Sequence, residues 1–300
     1  MTRALVIGRR RPGRPISEAV RETERLLEAA GWKVDSSVVK KKRAVRKRTA
    51  AAAKDGTDVV VAVGGDGAVL QVVQGLAETP VALGIVPMGT GNLLATNLRI
   101  PRRLEDAAQV VLGGSRRQID LGKATVGGKE RYFSVACGIG FDATVMDATT
   151  LAAKRRWGKL AYAAKAVAES GEVHDVSHRI VVDGEATTMD AGQVLIANFG
   201  RTGLGLKTRL RIAPDDGLLD VVVISTPGPA EGLLAVWEAL RQRTTGASPS
   251  GRVLRARARR IEVEPETKRL VEIDGSVIGS TPVSVEVVPG ALTVLGPATD

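Results

Sequence analysis

The stretch VVVAVGGDGAVLQVVQGL, Val59 to Leu76, constrains this chain more than any other. The unbroken β-branched run Val59 to Val63 reads as a strand buried on both faces, the kind found in parallel sheets covered by helices. It stops at Gly64-Gly65-Asp66-Gly67, after which Val69, Val72, Val73 and Leu76 recur on one helical face. A strand feeding a helix through glycines presents backbone N–H groups at a helix N-terminus, where they suit phosphate. A carboxylate in that turn repels phosphate directly, so Asp66 makes chemical sense beside a metal ion or an attacking hydroxyl. The plainer reading keeps the glycines for a tight turn and Asp66 as a helix cap.

The first third of the chain alternates strand and helix around this stretch. Ala4 to Gly8 is expected as a strand, followed by the basic loop Arg9 to Arg14 and a helix capped by Ser17 and ended by Gly31. Trp32 to Val39 is a second strand. Lys40 to Arg48 carries seven basic residues in nine, reading either as a solvated helix face or as an anion-facing rim. Val81 to Val86 is a further strand, ending in a second glycine turn, Pro87-Met88-Gly89-Thr90-Gly91-Asn92. Short helices over Leu93 to Leu98 and Glu105 to Leu112 follow. This order predicts an open, mainly parallel α/β sheet, with both glycine turns at strand C-terminal ends, where such sheets bind ligands.

Beyond Gln118 the pattern becomes strand after strand: Ile119–Val126, Arg131–Ala136, His178–Val182, Gln193–Phe199, Leu206–Ile212, Leu219–Ile224, Arg259–Glu264, Leu270–Ile273 and Val283–Val288. Turn pairs such as Gly127-Gly128 and Asp183-Gly184 separate several of them. Two helices interrupt, Trp157 to Ser170 and Pro229 to Arg241, and Thr244 to Gly251 reads as a loop. The expected division is an α/β domain over 1–118, with a tail from about 289 to 300 packing back on it, and a mainly antiparallel, sandwich-like β domain over 119–288.

Composition narrows the chemistry. Cys137 is the single cysteine and His174 and His178 the only histidines, which argues against a disulfide framework or a zinc enzyme. No apolar run approaches the ~20 residues of a membrane span, and arginines follow the first apolar residues, the reverse of a secretory signal. A cytoplasmic protein is expected. The formal net charge of +10 calls for an anionic partner. Few aromatic residues are present for base stacking, so no nucleic-acid partner is expected; an anionic membrane surface or a phosphorylated ligand fits at least as well.

The sequence has neither a G-x-x-x-x-G-K-[ST] loop nor a G-x-G-x-x-G in a Rossmann setting. The pair GGDG and PMGTGN, one strand apart, resembles instead the diacylglycerol kinase-like lipid kinases, which include soluble bacterial diacylglycerol kinases and sphingosine kinases. The resemblance continues through DLGKATVGGKERYFSVACGIGFDATV (Asp120 to Val145), WGKLAYAAKAV, the block VLIANFGRTGLGLKTRLRIAPDDGLLDVVVI (Val194 to Ile224) and DGSVIGSTPVSVEVVPGALTVLGP (Asp274 to Pro297). It implies an ATP-binding α/β domain, a β-sandwich-like domain and transfer of the ATP γ-phosphoryl to the hydroxyl of a diacylglycerol-like lipid. It also implies magnesium. The positive charge is expected to hold the protein peripherally at the anionic inner face of a membrane, and a homodimer is an open expectation.

Carried over by position, the resemblance assigns ATP contacts to Gly64, Gly65, Asp66, Gly67, Ala68, Val69, Leu70, Gln71, Gly89, Thr90 and Asn92, with Arg9 from the first loop. It links Asp66 to magnesium through a carboxylate network, gives Asp216 and the Leu218 carbonyl a magnesium ion, and places Asp274 in the general-base machinery. The chain departs from the pattern at several points. Ala68, Leu70 and Gln71 replace the Thr, Asn and Glu of GGDGT-x-NE, and Arg9-Arg10-Arg11-Pro12-Gly13 replaces Asn-Pro-x-Ser/Ala-Gly. A threonine is missing from Val39-Lys40-Lys41, and Ser276 stands where the family has its proton-accepting Glu. Three readings therefore stand: an active lipid kinase, a degenerate member that binds nucleotide or lipid without efficient turnover, and the NAD kinase-like sister class, which also carries GGDG.

Overall fold

The computed structural model describes residues 1–140, 175–200, 212–225, 246–247 and 251–298. The helices expected over 157–170 and 229–241, nearly all of the strand over 206–212, most of the loop over 244–251, and His174 lie outside the described residues. The chain divides into two compact units: Met1–Leu121, Tyr132–Ser134 and Val288–Asp300 form the first, Gly122–Arg131 and Val135–Val287 the second.

In the first unit, β1 (Arg3–Arg9), α1 (Ile16–Ala29), β2 (Lys33–Val39), α2 (Lys42–Lys54), β3 (Val59–Gly64), α3 (Asp66–Leu76), β4 (Ala82–Pro87), α4 (Leu93–Asn97) and α5 (Leu104–Gly113) follow one another. The strands lie in the order β2-β1-β3-β4, all parallel. Every residue of β3 and β4 is buried, as their continuous apolar sequences require. β2, at the edge, keeps an exposed and half-buried pattern. α1 buries Ile16, Ala19, Val20, Thr23 and Leu27, a stripe at helical spacing. Its N-cap is Pro15 rather than Ser17, because proline has no N–H to give a helix interior and its carbonyl takes the first helical bond, from Ala19. At its other end Gly31 has φ +83°; its N–H reaches the Glu28 carbonyl and the Trp32 N–H that of Leu27, which closes the last turn. α2 buries only Val45 and Thr49, leaving its lysines and arginines in solvent.

β5 (Ser115–Val126) and β6 (Lys129–Phe133) form a hairpin around Gly127-Gly128, both at positive φ as a two-residue turn of this hand demands. The strand expected over Arg131–Ala136 is instead two, because the chain leaves the first unit at Ser134 and β7 (Ala136–Ile139) belongs to the second.

Among the described residues, the strands of the second unit pair with one another antiparallel. Its strands are β8 (Val176–Val182), β9 (Glu185–Ala191), β10 (Gln193–Ala197), β11 (Leu219–Ile224), β12 (Gly246–Ala247), β13 (Val253–Ala258), β14 (Arg260–Pro265), β15 (Leu270–Ile273), β16 (Ser276–Ser280) and β17 (Val283–Gly296). One layer runs β12-β13-β11-β10-β7-β15-β16; the other contains β17-β14-β8-β9. Asp183-Gly184 and Asp274-Gly275 close tight hairpins with both residues at positive φ. Several strands escaped the sequence pattern, the two-residue β12 within the stretch expected as a loop among them. β9 is largely exposed and polar, and β13 carries Arg255 on its inward face, where the hydrophobic alternation is broken.

β17 also outruns expectation. Pro289-Gly290 bends it at the unit boundary instead of ending it, and Gly290, at φ +58°, donates its N–H to the Asp120 carboxylate at 2.8 Å. The remainder pairs with β4, Thr293 against Ala82 and Val294 against Leu83, adding a fifth strand to the first unit's sheet.

Candidate active site

β3 and β4 run side by side to their ends, Gly64 opposite Pro87, and the Met88 N–H bonds the Gly64 carbonyl at 2.9 Å. The two glycine turns therefore begin in contact. A Cβ on Gly89 would stand 2.5 Å from the Gly65 Cα, and one on Gly65 would stand 2.8 Å from the Gly89 Cα, so only glycine lets these backbones meet. Asn92, buried and at φ +51°, closes the second turn on itself. Its Oδ1 accepts the Gly89 N–H at 2.8 Å and its Nδ2 donates to the Gly89 carbonyl at 2.9 Å.

Asp66 ties the turns together. The N-cap of α3 is Gly65, and Asp66 is the first helical residue, without a capping hydrogen bond to its own helix. Its Oδ2 accepts the Asn92 N–H at 2.9 Å and its Oδ1 the Leu93 N–H at 2.5 Å. The carboxylate thus caps α4, the helix that follows the other turn. A Cβ on Gly91 would fall 2.8 Å from Asp66 Oδ2. The expected self-cap is corrected accordingly: Asp66 is a cap in trans, fastening one glycine turn to the other.

The residues after it divide by exposure. Ala68, Val69 and Leu70 are buried, and the amides of Ala68 and Val69 are already bonded to the Gly65 carbonyl at 2.8 and 3.2 Å. Their side chains pack into the core, so the apolar replacements at 68 and 70 are buried residues here. Gln71 is half-buried. The amides of Asp66 and Gly67 precede the first intrahelical bonds and mark the positive end of α3.

Cations from three separate segments surround the turns. Arg14 donates to the Thr90 hydroxyl at 3.3 Å, and Arg102 to the Thr90 carbonyl at the same distance. The Lys42 Cε lies 4.0 Å from where a Gly67 Cβ would be. Arg9 is half-buried at the end of β1, opposite Val39. Sequence reasoning placed Arg9 and Thr90 in the site and read the runs containing Arg14 and Lys42 as basic, the latter as an anion-facing rim, but did not tie either residue to the glycine turns; Arg102 carried no signal.

In the second unit Asp274 opens the turn between β15 and β16 at φ +43°, buried, with its Oδ1 accepting the N–H groups of Val135 at 2.9 Å and Ala136 at 3.0 Å. The turn is the ordinary two-residue hairpin, but its aspartate points inward and fixes the start of β7. Two residues earlier, half-buried Glu272 was not anticipated; burial first, and then the Asp274 charge, push its carboxyl above the usual range. Cys137, fully buried, has its thiol pushed far up by burial and then by the Glu272 and Asp274 charges, so it is no nucleophile. Ser276 is half-buried opposite Ile273 in the β15–β16 ladder.

Asp216 lies just before β11. Its Oδ1 accepts the Leu218 N–H at 3.1 Å and its Oδ2 is ion-paired with the Arg257 guanidinium. Arg257 Nε is also 3.7 Å from Oδ2 of Asp220, a buried carboxyl that burial pushes up to about 6 against the pull of Arg257. Among the described residues no three His, Cys, Asp or Glu side chains converge as a metal site. With one oxygen on an amide and the other on a guanidinium, the Asp216 carboxylate does not fit the divalent ion expected between it and Leu218.

Set beside known proteins, the chain matches the diacylglycerol kinase catalytic domain over residues 3–124 and the YegS C-terminal NAD kinase beta sandwich-like domain over 135–296. It is 34% identical over 260 residues to a diacylglycerol kinase of Mycobacterium tuberculosis, covering 84% of this chain and 81% of that protein. An uncharacterised Synechocystis protein is 29% identical over 245 residues, 81% of this chain, which spans just 56% of that relative's length. The crystal structure of a diacylglycerol kinase from Bacillus anthracis superposes with a TM-score of 0.73 at 21% identity, covering 98% of this chain and 96% of that one, which bears on the fold alone. An α/β unit with paired glycine turns, joined in sequence to a β-sandwich, is the architecture of lipid kinases of this type. The chain belongs to the diacylglycerol kinase-like lipid kinase family.

Proposed function

We propose that the chain transfers the γ-phosphoryl group of magnesium ATP to the hydroxyl of a diacylglycerol-like lipid, giving a phosphatidate-like product. The observation that carries this reading is the pair of abutting glycine turns, fastened by Asp66 and Asn92 and surrounded by Arg14, Lys42 and Arg102. Phosphoryl transfer needs positioning and charge neutralisation more than covalent help from the protein. The Asp66 and Gly67 amides offer donors to phosphate oxygens, and the three cations neutralise them where other family members use hydroxyl and amide side chains. Arginine forks suit that task. Magnesium bound with the nucleotide supplies further neutralisation of the β- and γ-phosphates. Asp274 takes the proton of the acceptor hydroxyl, since Ser276 is no base near neutral pH.

The same reading places the protein at an anionic membrane. Lys40 to Arg43 and Arg46 to Arg48 are all exposed, α2 contains no acidic residue, and each basic side chain near such a surface is worth ~1 kcal/mol. Among the described residues no helix is long and apolar enough to cross a membrane. The basic residues at 154–156 lie outside the described residues.

A second reading, nucleotide or lipid binding without efficient turnover, is favoured by Ser276 and by the commitment of Asp274 Oδ1 to two backbone amides. One experiment separates the alternatives. Labelled γ-phosphate from magnesium ATP is offered to the purified chain with mixed micelles of diacylglycerol, monoacylglycerol, ceramide or sphingosine, and in parallel with NAD. A labelled lipid is the expected product. Label on NAD moves the chain to the sister class, and ATP binding without label on any acceptor establishes the degenerate reading.

A further inference from the structure

We propose that Arg257 is a built-in cation standing where Asp216 would otherwise hold a divalent metal, so that this part of the second unit is metal-independent. The arginine is placed by the sheet. β11 and β13 pair over six residues, from Leu219 opposite Ala258 to Ile224 opposite Val253, and this ladder sets Arg257 directly across from Asp220. From there its guanidinium reaches both acids, Asp216 Oδ2 at its tip and Asp220 Oδ2 at 3.7 Å from Nε.

The chemistry on either side agrees. Magnesium demands an octahedral oxygen shell at about 2.0–2.1 Å and keeps several waters. Here the Asp216 Oδ1 faces an N–H donor, and its Oδ2 faces a planar cation that does not deprotonate and gives up no coordination site. Arg255, buried two residues along β13, adds a second positive charge whose field acts on Asp220. Among the described residues, two guanidiniums, Arg257 by ion pairing and Arg255 by its field on Asp220, thus act on this pair of carboxylates. The inference concerns stability and metal content and is independent of the kinase reading.

The test uses the full chain without nucleotide, unfolded thermally in EDTA and in excess magnesium or calcium, with bound metal counted by native mass spectrometry. The wild type is expected to show one midpoint in all three conditions and no retained ion. Arg257→Met is expected to unfold earlier in EDTA, to recover with divalent cation and to retain one ion, whereas Arg257→Lys, which keeps the charge, stays indifferent. A wild-type midpoint that drops in EDTA and recovers with magnesium, together with an ion lost on Asp216→Asn, overturns the proposal. So does a folded Arg257→Met that gains neither metal nor metal-dependent stability. If Arg257→Met does not fold, the wild type's own response to EDTA and its ion count decide the matter.

Discussion

Replacing Asp66 tests whether the two glycine turns are one object. Its carboxylate accepts two backbone N–H groups from the other turn, at 2.9 and 2.5 Å. A hydrogen bond to a charged acceptor contributes ~1.5–3 kcal/mol, so Asp66→Ala should cost about 3–6 kcal/mol. Asp66→Asn keeps one carbonyl oxygen as acceptor but turns an NH2 group toward the other amide, and about half that loss is expected. Against the ~5–15 kcal/mol that holds a typical protein, the alanine variant approaches the limit of folding, and its loss of activity alone would say little about chemistry. The informative assay is amide hydrogen exchange read by mass spectrometry on the peptide containing Asn92 and Leu93, alongside ATP binding. Both variants should exchange faster there than the parent, alanine more than asparagine, with ATP affinity falling in the same order. An Asp66→Ala protein with parental exchange at 92–93 and lost phosphoryl transfer would refute the fastening role and leave Asp66 a purely chemical residue.

Other expectations follow from the same geometry. Gly89→Ala puts a methyl 2.5 Å from the Gly65 Cα and 2.7 Å from Asn92 Oδ1, forcing the turns apart at ~1–3 kcal/mol; its ATP titration should weaken, and unchanged affinity would contradict the close approach. Asp274→Asn retains an acceptor for the Val135 and Ala136 amides, so its melting should stay near the parent's while kcat falls ~10²-fold or more; an unchanged kcat would remove Asp274 from proton transfer. His178 is buried, with Nδ1 2.7 Å from the Val176 carbonyl and Nε2 without a hydrogen-bond partner, and burial lowers its pKa from 6.5. Its neutral form is the folded one. Its contribution is full above pH 6.5 and is lost as pH falls through the lowered folded value, with a slope approaching ~1.4 kcal/mol per pH unit. Denaturation midpoints measured on the acid side should fall less steeply for His178→Phe, and identical slopes would exclude the histidine as their source.

Much of this was legible because buried parallel strands and glycine turns write themselves locally. β3 and β4 are continuous apolar runs, and the dipeptides at 127–128, 183–184 and 274–275 demand positive φ whatever surrounds them. Most of the misses share a physical cause, a partner distant in sequence; β9 instead escapes because it is polar and exposed beside its neighbour β8. β13 hides behind Arg255 and Arg257, and Arg257 finds its acids, Asp216 and Asp220, only in the folded chain. Lys42 at the start of α2 and Arg14 and Arg102 from two loops become neighbours of the glycine turns only when the chain folds. Ala68 and Leu70, which stand where the motif has polar residues, are both buried, which the motif alone does not tell.

The last strand gives the first unit an unusual history. Its sheet begins within ten residues of the N-terminus, yet the strand that covers Ala82 and Leu83 of β4 lies at Thr293 and Val294. During synthesis from N- to C-terminus, four parallel strands and their helices emerge while the hydrogen-bonding edge of β4 stays open, and the intervening β unit must be made before that edge can close. The nascent first unit therefore carries a bare apolar strand edge until the intervening β unit has been made, the situation in which chaperones or pairing with the wrong chain compete with native folding. A fragment ending at residue 118 would keep that edge permanently, however complete its glycine turns.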